Sequence, residues 1–222
     1  MSKPKSWERS SNFTITKRSY LKMPNNNAAL EVKPFSPILG AEIYGLDLSK
    51  TLSRENLAKI KSAFSYYQVL FFKDQKEIAP EKHIELGKLF GNLHLHPAAP
   101  TMKGHPEIFE IHVTKESKIA NGEFWHSDVS CDEEPPLGTM LQLHVLPKCG
   151  GDTMFSNMYT AYESLSDTFK SIIDKLTATH ESAHIYRGRY ADRGKHDENI
   201  FCPKASHPVV RTHPETKKKA LF

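Results

Sequence analysis

Twelve histidines in 222 residues make metal ligation the first chemistry to consider. Taken singly they say little, because most histidines are surface groups or hydrogen-bonded core residues. A His-x-Asp or His-x-Glu pair says more, since it can offer one nitrogen and one oxygen donor. Such pairs stand at His83/Glu85, His105/Glu107, His126/Asp128, His196/Glu198 and His213/Glu215, so spacing alone selects nothing. Local geometry selects better: side chains at i and i+2 share a face only in an extended segment, and on a helix they diverge by about 200°. His83/Glu85 lies in a helical pattern. His105-Pro106-Glu107 and His213-Pro214-Glu215 read as turns around proline, and His196/Glu198 belongs to a charged stretch, 191–199, that reads as a solvated loop. His126-Ser127-Asp128 follows Phe124-Trp125 and precedes Val129, an apolar setting suited to a cavity wall. A histidine and a carboxylate on one strand face, with a second histidine from elsewhere, form the facial triad of non-haem iron(II). Zinc accepts the same donors, and a histidine with a purely structural role is the plain alternative.

The elements that must carry this pair begin near Leu30. Residues 1–27 are polar and end in Pro24-Asn25-Asn26-Asn27, and they read as a disordered N-terminal tail before a single domain over 28–222. Residues 30–32 and 38–44 read as short strands broken by Pro34, Pro37, Gly40 and Gly45. Ser53 is placed to cap a helix that presents Leu57, Ile60, Ala63 and Phe64 on one face. The apolar run 68–72 predicts a strand buried on both faces, and 80–90 predicts a helix stopped by Gly91. Further strands are predicted at 108–113, 139–146 and 152–156, a helix over 161–176, and a hairpin from 208–212 and 219–222. Strands and helices do not alternate regularly. The pattern therefore predicts a mainly β fold with flanking helices, an α+β jelly roll rather than a parallel α/β sheet.

Composition narrows the class. Thirty basic residues against 26 acidic ones give a net charge of +4. Much of that excess sits in Lys3, Lys5, Arg9, Lys17, Arg18 and Lys22 and in Lys217-Lys218-Lys219. No basic stripe interleaved with aromatics appears, which argues against a nucleic-acid partner. No apolar run approaches the roughly 20 residues of a membrane span. Cys131, Cys149 and Cys202 form no CxxC pair, and an odd number cannot all pair internally, so a reducing compartment, the cytoplasm, is expected. The basic, Ser-containing N-terminus raises a mitochondrial transit peptide as the alternative, against which Pro4 and Glu8 stand.

Beyond about Pro34 the chain resembles the taurine dioxygenase (TauD/TfdA) family of iron(II)- and 2-oxoglutarate-dependent dioxygenases. The resemblance is carried in order by residues 37–43 (PILGAEI), 68–75 (QVLFFKDQ), 89–97 (LFGNLHLHP), 125–130 (WHSDVS) and Pro135-Pro136. It continues through Gly150-Gly151-Asp152-Thr153, 161–166 (AYESLS), 207–214 (HPVVRTHP) and Lys219-Ala220-Leu221-Phe222. It implies a double-stranded β-helix and a centre of Fe(II), 2-oxoglutarate as co-substrate and O2. His126 and Asp128 match two iron ligands, Thr153 a residue that hydrogen-bonds 2-oxoglutarate, His96 a histidine that binds a substrate sulfonate, and Val129 a substrate-side backbone contact. The implied reaction hydroxylates a small organic acid. For a sulfonate, hydroxylation beside sulfur releases sulfite and an aldehyde, with succinate and CO2 from the co-substrate. A carboxylate at 128 fills the coordination position that halogenase relatives leave for chloride, which favours hydroxylation.

Two departures bear on the substrate: Ala99 stands where the taurine enzymes carry a tyrosine, and Gly122 where they carry an asparagine. Each lost polar partner is worth on the order of 1 kcal/mol if the ligand group is buried. The resemblance thus points to a different sulfonate, a sulfate ester or a carboxylic acid rather than taurine. The family's second histidine ligand and its 2-oxoglutarate arginine lie beyond the strand at which this chain stops. The expectation is a jelly roll lacking its closing strands and an isolated chain of little activity, with a non-catalytic binding protein as the third reading. Self-association into a homo-oligomer is compatible with all three.

Overall fold

A computed structural model describes residues 30–222, except 115–116, 118–121, 123 and 191–199. The expected tail over 1–27 and the pair His196/Glu198 lie outside the described residues.

The chain opens on a three-stranded sheet. β1 (Glu31–Pro34) pairs antiparallel with β2 (Ala41–Tyr44), and β2 pairs parallel with β3 (Leu70–Phe72). The parallel step is bridged by α1 (Arg54–Tyr67), a right length for a β-α-β crossover. Ser53 caps α1, its hydroxyl accepting from the Asn56 amide at 3.1 Å, and Ile60 and Ala63 are buried along its inner face. Gln68 ends the helix in a left-handed conformation (φ 67°), so the strand starts two residues later than the apolar run suggests. β3 is half-buried rather than enclosed on both faces.

α2 (Pro80–Lys88) starts with proline at its first turn, where no amide partner is needed. β4 (Thr101–Met102) and β5 (His105–Phe109) form a two-stranded ladder. His105-Pro106-Glu107 is thus strand, not the turn expected around proline; an edge strand tolerates the missing donor. His105 Nε2 turns to Glu81 of α2 at 3.5 Å. In place of one helix over 161–176 there are two, α3 (Met158–Glu163) and α4 (Asp167–Ile173), because Ser166 caps the second by accepting from the Phe169 amide. β6 (Thr177–Glu181) and β7 (Lys204–Pro208) pair antiparallel, with the short α5 (Ala183–Tyr186) between them. β8 (Val210–Thr212) and β9 (Lys219–Leu221) form the expected hairpin.

Residues 139–146 and 152–156, expected as strands, join no ladder among the described residues. Their apolar residues match a strand pattern, but a strand exists only as half of a ladder. Leu141, Leu143, Val145 and Met154 are exposed in consequence, Val145 at 86%. The mixture of helices and short, largely antiparallel strands is α+β. A buried cluster of Ala98, Ala99, Cys131, Tyr186 and Tyr190, with Phe109, Val129 and Cys202 packed against it, lies directly beneath the segment that carries His126 and Asp128.

Candidate metal centre

Residues 125–127 have no ladder partner among the described residues and lead into a turn at 128–130. The expected strand face is therefore absent, and convergence comes from the turn instead. Val129 has φ 50°, a left-handed backbone that a β-branched residue rarely takes. His126 Nε2 and Asp128 Oδ1 end 3.2 Å apart. Two ligands on bonds of about 2.1 Å at right angles would hold donors about 3 Å apart. The pair's spacing thus fits one metal ion without rearrangement.

Each partner has its other polar atom occupied. His126 Nδ1–H donates to the Phe124 carbonyl at 2.7 Å, which leaves Nε2, on the side of Asp128, as the nitrogen available to a metal. Asp128 Oδ2 accepts from the Thr139 hydroxyl at 2.6 Å. The pair itself is about half exposed, and Phe124 and Trp125 are 82% and 66% exposed rather than part of a cavity wall. Gly122 borders the site: a Cβ there would lie 3.8 Å from His126 Cε1, and its φ of 87° suits glycine.

The turn below the pair is gripped from three sides by histidines. His94 Nε2 lies 2.8 Å from Asp132 Oδ2, His180 Nδ1 lies 2.9 Å from Ser130 Oγ, and His207 Nε2–H donates to the Asp132 carbonyl at 2.9 Å. The Phe222 ring packs on both His180 and His207, at 5.3 and 5.0 Å between centroids. Val129, matched by resemblance to a substrate-side contact, packs its side chain on the buried cluster. Sequence reading missed Thr139, His94, Asp132, His180 and His207. Only His94 carried a local signal, the alternation His94-Leu95-His96.

His96 sits over that cluster. Its Nδ1 accepts from the Ala98 and Ala99 amides at 3.2 and 3.0 Å, and its ring packs on Tyr186 and Phe109 at 4.8 and 5.6 Å. Burial pushes its pKa below the ordinary histidine value and His94 adds to this, while Asp132 and Asp128 pull the other way. Both observations describe a neutral ring with its proton on Nε2. A hydrogen bond from His96 to an anion would therefore take its charge from the ligand. Ala99, the position of the family's tyrosine, is 3% exposed and serves through its backbone amide.

Thr153 stands in an exposed stretch, 151–156, with no bond to the His126–Asp128 pair among the described residues. Nor does any group of three His, Cys, Asp or Glu come together among the described residues, so the donor set here is one nitrogen and one oxygen. A cavity of about 290 Å³ bordered by Phe64, Phe90, Tyr159 and His213 includes none of His96, His126, Asp128, Val129 and Thr153.

Residues 31–222 match the family described as taurine catabolism dioxygenase TauD, TfdA family. An alkylsulfatase of Acinetobacter baylyi is 31% identical over 205 residues, covering 89% of this chain and 64% of that protein. An alpha-ketoglutarate-dependent sulfate ester dioxygenase of Pseudomonas putida is 30% identical over 199 residues, covering 86% and 65%. The crystal structure of a taurine dioxygenase from Burkholderia xenovorans superposes with a TM-score of 0.67 at 30% identity, over 88% of this chain and 64% of that one. The chain thus spans just under two thirds of the length of these relatives.

Proposed function

Since the chain belongs to the TauD/TfdA family, we propose that it carries two ligands of an Fe(II)- and 2-oxoglutarate-dependent dioxygenase centre that hydroxylates a small organosulfur acid, a sulfonate or a sulfate ester. The observation that carries this reading is the His126 Nε2–Asp128 Oδ1 approach of 3.2 Å, with both outer atoms already bonded. The proposed domain is 28–222, and the proposed core is a jelly roll to which the stretches 139–146 and 152–156 belong.

Bound iron would supply the activation of O2 and the oxidative decarboxylation of 2-oxoglutarate. The chain's own residues hold and orient. His126 would present Nε2 to the metal, its Nδ1–H being taken up by the Phe124 carbonyl. Asp128 presents one oxygen beside it. Thr153 is assigned to a hydrogen bond with 2-oxoglutarate. The Val129 backbone and His96 face the substrate, His96 donating from Nε2–H to a sulfonate or sulfate oxygen. Hydroxylation of the carbon beside sulfur releases sulfite and an aldehyde; hydroxylation of the carbon bearing a sulfate ester releases sulfate and an aldehyde. The names of the two curated relatives favour the ester, and the buried Ala99 in place of a tyrosine agrees with a ligand other than taurine.

The test is a panel of alkyl sulfates and sulfonates assayed for succinate with sulfate or sulfite, on the protein at the length its gene encodes. Product release should require Fe(II), 2-oxoglutarate and O2 and fall to background in His126→Ala and Asp128→Ala. With two protein ligands among the described residues, 1–222 alone should form little succinate. Turnover that persists in both variants would remove the proposal.

A further inference from the structure

Asp128 has two carboxylate oxygens, and only Oδ1 faces His126. Oδ2 accepts the Thr139 hydroxyl at 2.6 Å, within the range of a charge-assisted O–H···O⁻ bond. We infer that Thr139 is a positioning residue for the metal: its hydroxyl holds the outer oxygen of Asp128 and restricts that carboxylate to ligation through one oxygen. The inference rests on the reading of His126 and Asp128 as metal ligands.

The need for such a residue follows from the chemistry of carboxylates. Aspartate ligates a metal through one oxygen or both. Two-oxygen ligation would take a coordination position that a facial site has to leave open for a chelating co-substrate and O2. A free Asp128 side chain at about half exposure could rotate into that mode. A hydroxyl already bonded to Oδ2 opposes the rotation, because chelation would cost that bond.

Thr139 is itself held on a short tether. The preceding Gly138 lies against α1 so closely that a Cβ would come within 2.9 Å of Phe64 Cζ. Three residues on, Gln142 Oε1 accepts from the Ile78 amide at 3.1 Å. The hydroxyl therefore stands between two anchors, one on α1 and one on the loop before α2. It matches the Phe124 carbonyl on the histidine side, so that each candidate ligand has an outer partner supplied by this chain. Outer partners of metal ligands are worth about 10–100-fold in metal affinity.

The measurement is a Mn(II) titration of the 222-residue chain, followed by the loss of the free-ion electron paramagnetic resonance signal. Thr139→Val and Thr139→Ala should weaken Mn(II) binding by about 10–100-fold, because Asp128 Oδ1 is then no longer held beside His126 Nε2. Thr139→Ser, which keeps the hydroxyl, should restore it to within about threefold on the same grounds. Circular dichroism checks that each variant is folded, and two truncations of one exposed side chain guard against a single misfolded protein. Wild-type affinity in Thr139→Val and Thr139→Ala, with binding lost in Asp128→Ala, would overturn the inference and leave the ligand reading standing. Unchanged binding in both His126→Ala and Asp128→Ala would overturn the ligand reading, and the inference with it.

Discussion

The tautomer of His96 has consequences that can be measured. Two backbone amides point at Nδ1, so protonating that nitrogen would face it with donors it could no longer satisfy. The ring is held neutral in the native state, burial being the largest cause. Unfolded histidine titrates near about 6.5, so below that pH protons bind the unfolded chain in preference to the native one. The stability contributed by neutral His96 is present above that range and is lost as pH falls toward its lower native value. Thermal melts from pH 8 to pH 5 should show a falling midpoint, with a shallower fall in His96→Gln. His180, lowered by burial and then by His207, adds in the same direction. At this scale the approach of His126 to Asp128 rests on a spacing shared with four other pairs, and the strand face and apolar wall expected to select it are replaced by a turn and exposed rings. Thr139, His94 and His180 were not legible: they reach Asp128, Asp132 and Ser130 across 11, 38 and 50 residues. No local pattern encodes such a meeting.

Among the elements, α1 announced itself by its cap. Ser53 starts α1 as its type and place suggested, and Ser53→Ala should cost about 1 kcal/mol, seen as a lower urea midpoint at unchanged slope. Ser166 carried the same signal inside the stretch 161–176, and it divides that stretch into α3 and α4. β6 and β7 went unread because their alternation is written in Thr, Ala, His and Ser rather than in large apolar residues. Their faces nonetheless alternate between exposed and covered positions. Gly138 marks a close approach between a connecting segment and a helix. Gly138→Ala should displace the tip of the half-buried Phe64 ring at a cost of about 1 kcal/mol or less, read in the same urea experiment.

For the molecule as a whole, the stretches 139–146 and 152–156 leave several large apolar side chains exposed. Leu143, Val145, Leu146 and Met154 are each at least 65% exposed. Unpaired apolar backbone of this kind recruits other chains. Sedimentation of the 222-residue chain should show mass rising with concentration, and Leu143→Lys with Val145→Lys should suppress that rise without lowering the melting temperature. The fold class could be read from element types, but the pairing of these stretches could not. Period-two alternation gives a strand's faces and says nothing of its neighbour.

Phe222 stacks on His180 and His207, and those two rings hold Ser130 and the Asp132 carbonyl. The turn bearing Asp128 is thus braced by segments 50 and 75 residues downstream. Contacts so distant along the chain form late, after local helices and hairpins. During synthesis or refolding, then, the ligand pair gains its geometry among the final events. An ion arriving earlier would find two loosely held side chains, and its effect would be to slow unfolding of the finished protein rather than to seed the collapse.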